Sequence, residues 1–137
     1  MGARSKARKR ALDLLYEAEL RGLNARDLLA ERLARPATKA PLAEYTAELV
    51  TGVVDHWTDI NELLSTYSQG WTLERMPAVD RAILRLGAYE VLYAADVPGP
   101  VAIAEAVSLA TELSTDDSPK FVNGLLARLA EVRATLG

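Results

Sequence analysis

The first ten residues of the chain carry the charges that could bind a polyanion. They contain five basic side chains and no acidic one, whereas the remainder carries 11 basic and 19 acidic residues. A short basic segment on an acidic body indicates a local anion site rather than a general affinity for polyanions. A solvated, frayed terminus is the simpler alternative. The five side chains are Arg4, Lys6, Arg8, Lys9 and Arg10.

The spacing of these basic residues favours an anionic partner. Arg4 and Arg8 are four residues apart, as are Lys6 and Arg10. A helix would bring each like-charged pair together at a cost of about 0.2–0.5 kcal/mol. Positive charge at the start of a helix also opposes the helix dipole. A phosphate backbone would relieve both penalties.

A second segment, residues 117–124, places an aromatic ring beside charged side chains at a predicted helix start, which Ser118 can cap. Phe121 is the only phenylalanine in the chain, and its ring could stack on a base of single-stranded RNA, a contact worth about 1–3 kcal/mol. Asn123 and Gly124 lie inside the same helix, although glycine there costs about 1 kcal/mol relative to alanine. The alternative is that Gly124 admits a neighbouring helix and Phe121 belongs to the core.

Catalysis and metal binding have little support in the sequence. His56 is the only histidine, the chain has no cysteine, and the positions four residues to either side of His56 are Gly and Ile. The nearby Asp55 and Asp59 are typical of a solvated helix face. The sequence contains no glycine-rich phosphate loop. We therefore expect no enzyme, no metal site and no cofactor.

Helices must position both segments, because apolar residues recur with helical spacing along almost the whole chain. The longest series runs from Leu42 to Leu64, and no stretch alternates with a period of two. Residues 35–41, bracketed by two prolines, are the clearest linker and are expected to be mobile. The sequence therefore predicts an all-α protein in two packed subdomains that join around residues 70–76.

Length and composition are those of one globular domain, residues 1–137. The chain is 50% hydrophobic and 26% charged, which is compatible with a sizeable core. No apolar run approaches the ~20 residues that cross a bilayer, and the basic terminus lacks the apolar segment of a signal peptide. The lack of cysteine suits a reducing compartment, so we expect a cytoplasmic protein without membrane contact.

Four motifs taken together resemble the NusB family of transcription antitermination factors. They are Val-Asp-Arg-Ala-Ile-Leu-Arg-Leu-Gly-Ala-Tyr-Glu at residues 79–90, Asp-Val-Pro at 96–98, Val-Ala-Ile-Ala-Glu-Ala-Val at 101–107 and Phe-Val-Asn-Gly at 121–124. The resemblance is close over about the last 60 residues and looser towards the amino terminus. Ala104 departs from the pattern, since the family usually has asparagine there.

The resemblance implies a compact domain of about seven helices that binds RNA. Members of the NusB family bind the boxA element of ribosomal RNA leader transcripts, together with a small-subunit ribosomal protein called NusE in this role. The implied activity is suppression of premature termination during ribosomal RNA synthesis, with other Nus factors and RNA polymerase as indirect partners. An acidic docking surface would suit a basic ribosomal protein.

The family pattern also assigns residues to two surfaces. The RNA-binding set that the resemblance implies is Arg4, Lys6, Arg8, Lys9, Arg10, Tyr67, Arg85, Asp117, Lys120 and Phe121. The partner-binding set is Glu74, Asp80 and Glu90. A place in the core is equally compatible with Tyr67, and Glu90 and Glu105 could instead make hydrogen bonds between helices.

Two other functions remain open from the sequence. The same helical domain precedes the catalytic part of a family of ribosomal RNA cytosine methyltransferases, although this chain has no Rossmann-like glycine motif and no nucleophilic cysteine. The chain could also be a helical adaptor, or a homodimer whose second subunit covers the basic segment and Phe121. Such a dimer would be an inactive state for RNA binding.

Overall fold

A computed structural model describes residues 2–136, which form seven α-helices and one short 3₁₀ turn. The helices are α1 (Ala3–Arg21), α2 (Ala25–Ala34), α3 (Glu44–Asp55), α4 (Trp57–Tyr67), α5 (Ala78–Tyr93), α6 (Gly99–Leu113) and α7 (Ser118–Leu136), and the 3₁₀ turn is Leu73–Arg75. No strand occurs between residues 2 and 136. The predicted all-α fold of about seven helices is confirmed. Met1 and Gly137, which the predicted domain includes, lie outside the described residues.

Helix α5 is the centre of the fold. It contacts α1, α3 and α4, which precede it in the chain, and α6 and α7, which follow it. Helices α1, α2 and α3 pack on one another, as do α6 and α7, so the two groups of helices share α5. Its side chains Ile83, Leu84, Leu86 and Val91 are buried in the common core. Such all-round burial is expected of a helix with neighbours on several sides.

The apolar series from Leu42 to Leu64 forms two helices rather than the one long helix that its spacing predicts. His56 separates α3 from α4 with φ −110° and ψ 21°. Its ring stacks on Tyr93 of α5, with ring centroids 3.7 Å apart. Because Val53 and Ile60, on either side of the break, are both buried, the apolar stripe continues across it. The break therefore leaves no trace in the sequence periodicity.

The predicted linker lies between two helices. Residues 35–41 follow α2 and precede α3, and all of their side chains are exposed. Their mobility stays a prediction.

Two glycines allow helices to approach α5 closely. A β-carbon built on Gly52 of α3 would lie 2.1 Å from Cε1 of Tyr89 on α5. A β-carbon on Gly87 of α5 would lie 2.7 Å from Cδ1 of Leu126 on α7 and 3.3 Å from Cβ of Ala106 on α6. Neither position can hold a side chain without displacing a neighbour. These two glycines therefore set the spacing of α3, α6 and α7 around α5.

Replacing Gly52 with alanine is expected to destabilise the protein by about 1 kcal/mol. Alanine is the better helix former by about 1 kcal/mol, but overpacking of a core costs about 1–3 kcal/mol, and the Tyr89 ring must move to make room. Thermal unfolding of Gly52→Ala beside the parent protein measures the difference. An equal or higher melting temperature would contradict the packing described for Gly52.

Candidate nucleic-acid interface

The basic segment is the first part of α1 rather than a separate arm, because the helix begins at Ala3. Arg4 pairs with Asp96 at 2.8 Å, and Lys9 pairs with Glu112 of α6 at 2.5 Å. The hydrogen bond from Arg4 lowers the pKa of Asp96 below its ordinary value. Exposed pairs of this kind contribute at most about 1 kcal/mol, so a phosphate group can compete for either cation.

Lys6 and Arg10 are the cations of this segment that form no ion pair within residues 2–136. Lys6 is exposed and Arg10 is half-buried. For the other three cations, carboxylates from other parts of the chain relieve the mutual repulsion expected within α1. Of the five cations in this segment, Lys6 and Arg10 are the two without a carboxylate partner among residues 2–136.

Arg8 requires a correction, because it is buried and not available to a phosphate group. Its Nε donates hydrogen bonds to both carboxylate oxygens of Glu90, at 2.8 and 3.0 Å, and its Nη1 lies 3.3 Å from Glu105. Only 4% of the Arg8 side chain and 2% of the Glu90 side chain are exposed. A guanidinium that gave up these partners would leave the carboxylate of Glu90 in the interior without its charged partner.

Glu90 is likewise not a surface residue for a protein partner. Besides Arg8, it accepts a hydrogen bond from the hydroxyl of Tyr45. Burial, reinforced by this hydrogen bond, raises the pKa of Tyr45 above its ordinary value, so the hydroxyl stays a donor. Glu90 therefore joins α1 and α3 to α5, which is the internal role that the sequence left open for it.

Asp80 also requires a correction, since its carboxylate is fully buried. One oxygen accepts from the hydroxyl of Ser114, and the other accepts from the hydroxyl of Ser118 at 2.7 Å. Ser118 therefore does not cap the helix as predicted but bonds to α5. Asp80 holds the turn between α6 and α7, and with it the start of α7, against the first turn of α5.

The sequence left two roles open for the ring of Phe121, packing in the core and stacking on a base, and its environment is compatible with both. Its ring is half-buried and packs against the core. It also meets the ring of Trp71 edge to face, with centroids 5.2 Å apart and planes at 80°. Such a pair contributes about 0.5–1.5 kcal/mol beyond its buried area. The partly accessible ring can therefore serve both packing and stacking.

Trp71 packs against Phe121 but was not among the site residues predicted from the sequence. The chain turns back after α4 at Gly70, whose φ of +81° favours glycine. The hydroxyl of Ser68 donates to the carbonyl oxygen of Trp71 and closes the turn. An aromatic residue in a short connector, directly after a Ser-Gln-Gly sequence, was the available signal.

The exposed residues around Phe121 adjoin the basic part of α1 through the end of α6. Asp117 and Lys120 are both exposed at the start of α7. Glu112, the partner of Lys9, lies in the last turn of α6, five residues before Asp117. Lys9 of α1 and the aromatic and charged residues of α7 therefore lie beside the same turn, whereas Arg4 pairs with Asp96 at the other end of α6.

Tyr67 and Arg85 lie in different parts of the fold. Tyr67 ends α4, is half-buried, and its carbonyl oxygen accepts from Nε of Arg128 at 3.0 Å. Arg85 instead donates to Oδ1 of Asn61 at 2.9 Å, and its guanidinium lies 4.3 Å from the centroid of the Trp57 ring. Burial lowers the pKa of Arg85. Its Nη1 also lies 3.5 Å from Glu19 of α1, so Arg85 packs between α4 and α1.

Glu74 is the residue of the predicted partner-binding set that stays exposed. It lies in the 3₁₀ turn Leu73–Arg75. Arg81 fixes this turn by donating to the carbonyl oxygen of Leu73 at 3.1 Å, and it pairs with Glu19 of α1 at 2.7 Å. The backbone that carries Glu74 is therefore anchored to α5 and α1.

Within residues 2–136, no group of three or more His, Asp or Glu side chains is arranged to hold a metal ion. No helix in the same range is long and apolar enough to cross a membrane.

The fold and these side chains define a class: a helical protein in which a cation of the first helix and a half-buried aromatic pair lie beside the turn between α6 and α7. The chain belongs to the NusB family, whose sequence model matches residues 5–131. The family expected from the four motifs is therefore confirmed.

Curated relatives match almost the full chain. The transcription antitermination protein NusB of Kineococcus radiotolerans is 60% identical over 136 residues, which cover 99% of this chain and 98% of the relative. The NusB protein of Thermobifida fusca is 56% identical over 135 residues, covering 98% of this chain and 94% of the relative.

Solved structures of the family share the fold. NusB of T. maritima superposes with a TM-score of 0.81 at 33% identity, over 95% of this chain and 92% of that one. A chain from the crystal structure of the antitermination factors NusB and NusE in complex with dsRNA gives a TM-score of 0.80 at 28% identity, over 94% of this chain and 96% of that one.

Proposed function

We propose that this protein is a transcription antitermination factor. It binds the boxA element of ribosomal RNA leader transcripts together with the small-subunit ribosomal protein NusE, and so promotes complete transcription of ribosomal RNA. Other Nus factors and RNA polymerase are indirect partners. The observation that carries this proposal is the match to antitermination proteins named NusB over 98–99% of the chain.

In the proposed mechanism, the cations of α1 gather the RNA and α7 fixes it. Lys6 and Arg10 are free of ion pairs among residues 2–136, and Arg4 and Lys9 exchange exposed carboxylate partners for phosphate. Phe121 then stacks on one base, with Trp71 holding its ring. Asp117 and Lys120 make polar contacts beside it, and Tyr67 borders the same surface. The ribosomal protein docks next to Glu74 and extends the RNA contact.

The proposed role is regulatory and not catalytic, and its place is the cytoplasm, where transcription and its factors are found. Since the curated relatives that match 94–98% of their own length are named as antitermination proteins, they favour this role over the methyltransferase alternative. A homodimer that covers the basic segment stays a prediction, to be tested by sedimentation at several protein concentrations.

Assembly of the three components tests the proposed function. The protein, the ribosomal protein and a boxA RNA, mixed in equal amounts, are expected to sediment as one ternary complex. With a scrambled RNA of the same length at the same concentration, the two proteins should sediment without RNA. Separate sedimentation of RNA and proteins in both mixtures would contradict the proposal.

Glu74→Lys is expected to weaken ternary assembly about 3–10-fold and to leave binding of RNA alone unchanged. The substitution places a positive charge against a basic partner, and Glu74 takes part in no ion pair within residues 2–136. Titration of the ribosomal protein into labelled RNA with each variant measures both quantities. Glu48→Lys, an exposed reversal on α3, is the matched control. Equal assembly by the two variants would remove Glu74 from the docking surface.

A further inference from the structure

Gly124 is a glycine that the packing of the chain does not require. A β-carbon built there would meet, among the described residues, only Nη1 of Arg128 on the same helix, at 3.5 Å, which is an ordinary contact. At Gly52 and Gly87, in contrast, such an atom would collide with a neighbouring helix. The idea that Gly124 admits another helix is therefore wrong. Because alanine is the better helix former, the bare backbone at this position calls for another reason.

Arg128 is held beside this bare turn with part of its guanidinium unused. Its Nε donates to the carbonyl oxygen of Tyr67 at 3.0 Å, which ties α7 to the end of α4. Its two Nη atoms make no hydrogen bond and no ion pair with any residue between 2 and 136. Arg128 and Glu131 both line a cleft of about 400 Å³, but the two side chains do not form an ion pair. A guanidinium fixed at one edge and open at the other suits bidentate binding of a phosphate group.

Phe121, Gly124 and Arg128 lie on one face of α7, because their spacing is i, i+3 and i+7. The end of α4 and the Gly70 turn border this face, through the contacts of Arg128 with Tyr67 and of Phe121 with Trp71. The face therefore continues from the aromatic pair, past an open stretch of helix backbone, to an anchored cation.

We propose that Gly124 and Arg128 form a second nucleotide subsite next to the one at Phe121. The nucleotide that neighbours the stacked base lies against the bare backbone at Gly124, and Arg128 binds its phosphate through the Nη atoms. This inference rests on the proposed RNA-binding function and extends it along α7. It also accounts for a glycine that helix stability alone would not select.

Opposite changes in stability and affinity test the subsite. Gly124→Met is expected to raise the melting temperature by about 2–5 °C, since methionine is a better helix former and the position is open. The same variant should bind boxA RNA about 10-fold more weakly, and Gly124→Ala should lose less. Ala134→Met, at an exposed position ten residues further along α7, is the control and should bind as the parent protein does.

Arg128→Gln tests the phosphate contact separately. We expect a several-fold loss of affinity and a salt dependence reduced by ~0.7, the value for one phosphate contact on a single strand. Arg133→Gln is the matched control, because Arg133 lies on the same helix and also donates to a backbone carbonyl, that of Val91, at 2.9 Å. It should leave the salt dependence unchanged.

The outcomes separate this inference from the function on which it rests. If the parent protein does not prefer boxA to a scrambled RNA, the proposed function fails and the subsite fails with it. If the parent protein prefers boxA but Gly124→Met and Arg128→Gln bind as it does, only the subsite is overturned. Weaker binding by both variants, with the Gly124→Met protein at least as stable as the parent, supports the subsite.

Discussion

Arg8→Ala is expected to destabilise the protein by about 3–5 kcal/mol, the range for removing one partner of a buried ion pair. The substitution leaves the carboxylate of Glu90 in the interior without its charged partner, and Glu105 loses the same cation. Chemical denaturation followed by circular dichroism measures the change, which corresponds to a melting temperature lower by about 10 °C or more. Lys6→Ala, at an exposed cation of the same segment, should change stability by less than about 0.5 kcal/mol.

The two substitutions should also differ in their effect on RNA. Lys6→Ala is expected to lower the salt dependence of RNA binding by ~0.7 while the protein stays fully folded. The double variant Arg8→Met with Glu90→Met should recover part of the stability lost in Arg8→Ala, because no unpaired charge remains inside. A stable Arg8→Ala protein with weakened RNA binding would return Arg8 to the RNA surface and contradict the buried pair.

Phe121→Leu is expected to reduce affinity for boxA RNA about 5–150-fold, since stacking of a base on an aromatic ring is worth about 1–3 kcal/mol. Leucine can fill much of the space that the ring occupies in the core, so the fold should lose less stability than it would with alanine. The salt dependence should not change, because no charge is removed. Fluorescence anisotropy of labelled RNA across a salt series measures both quantities.

Phe121→Tyr is the control for this prediction. Tyrosine keeps the aromatic face and the edge-to-face contact with Trp71, so affinity should stay within about threefold of the parent value. If Phe121→Leu also binds boxA as the parent protein does, the ring serves only the core and the stacking role is wrong.

The helical phase of the sequence contained more information about the buried charges than their residue types did. Arg8 is in phase with Ala11, Leu12 and Leu15, which are spaced i+3, i+4 and i+7 from it and are all buried. Lys6 and Arg10 fall outside this stripe and stay more accessible. All five cations had been assigned to RNA binding alike, because all five are basic. Reading each cation against the apolar stripe selects Arg8 and also Arg4, which lies one turn earlier at the start of the helix, where 48% of its side chain is exposed.

The same phase applies to the two acidic residues of α5. Asp80 is spaced i, i+3 and i+4 with the buried Ile83 and Leu84, and Glu90 follows Ile83 by seven residues. The family resemblance had implied that both belong to a docking surface, and their negative charge suited a basic partner. Their hydrogen bonds instead hold the start of α7 and the start of α1, and so position the residues that the RNA is proposed to contact.

Other features depend on tertiary contacts that no single segment encodes. The helical segments follow from their apolar periodicity, apart from the break between α3 and α4 at His56, but the pairing of Arg8 with Glu90 joins residues 82 positions apart. The edge-to-face contact of Trp71 with Phe121 likewise needs the Gly70 turn to bring the end of α4 to α7. Sequence spacing fixes which face of a helix a residue occupies, whereas the partner on that face depends on how the helices pack.

Binding of a labelled boxA RNA and of its scrambled counterpart, each with and without the ribosomal protein, tests the central claim most directly. Anisotropy titrations across a salt series are expected to give tighter binding of boxA than of the scrambled RNA, with a preference that increases when the ribosomal protein is present. Equal, weak binding of both RNAs that the ribosomal protein does not change would contradict the claim. It would leave only the basic first helix as a general anion contact.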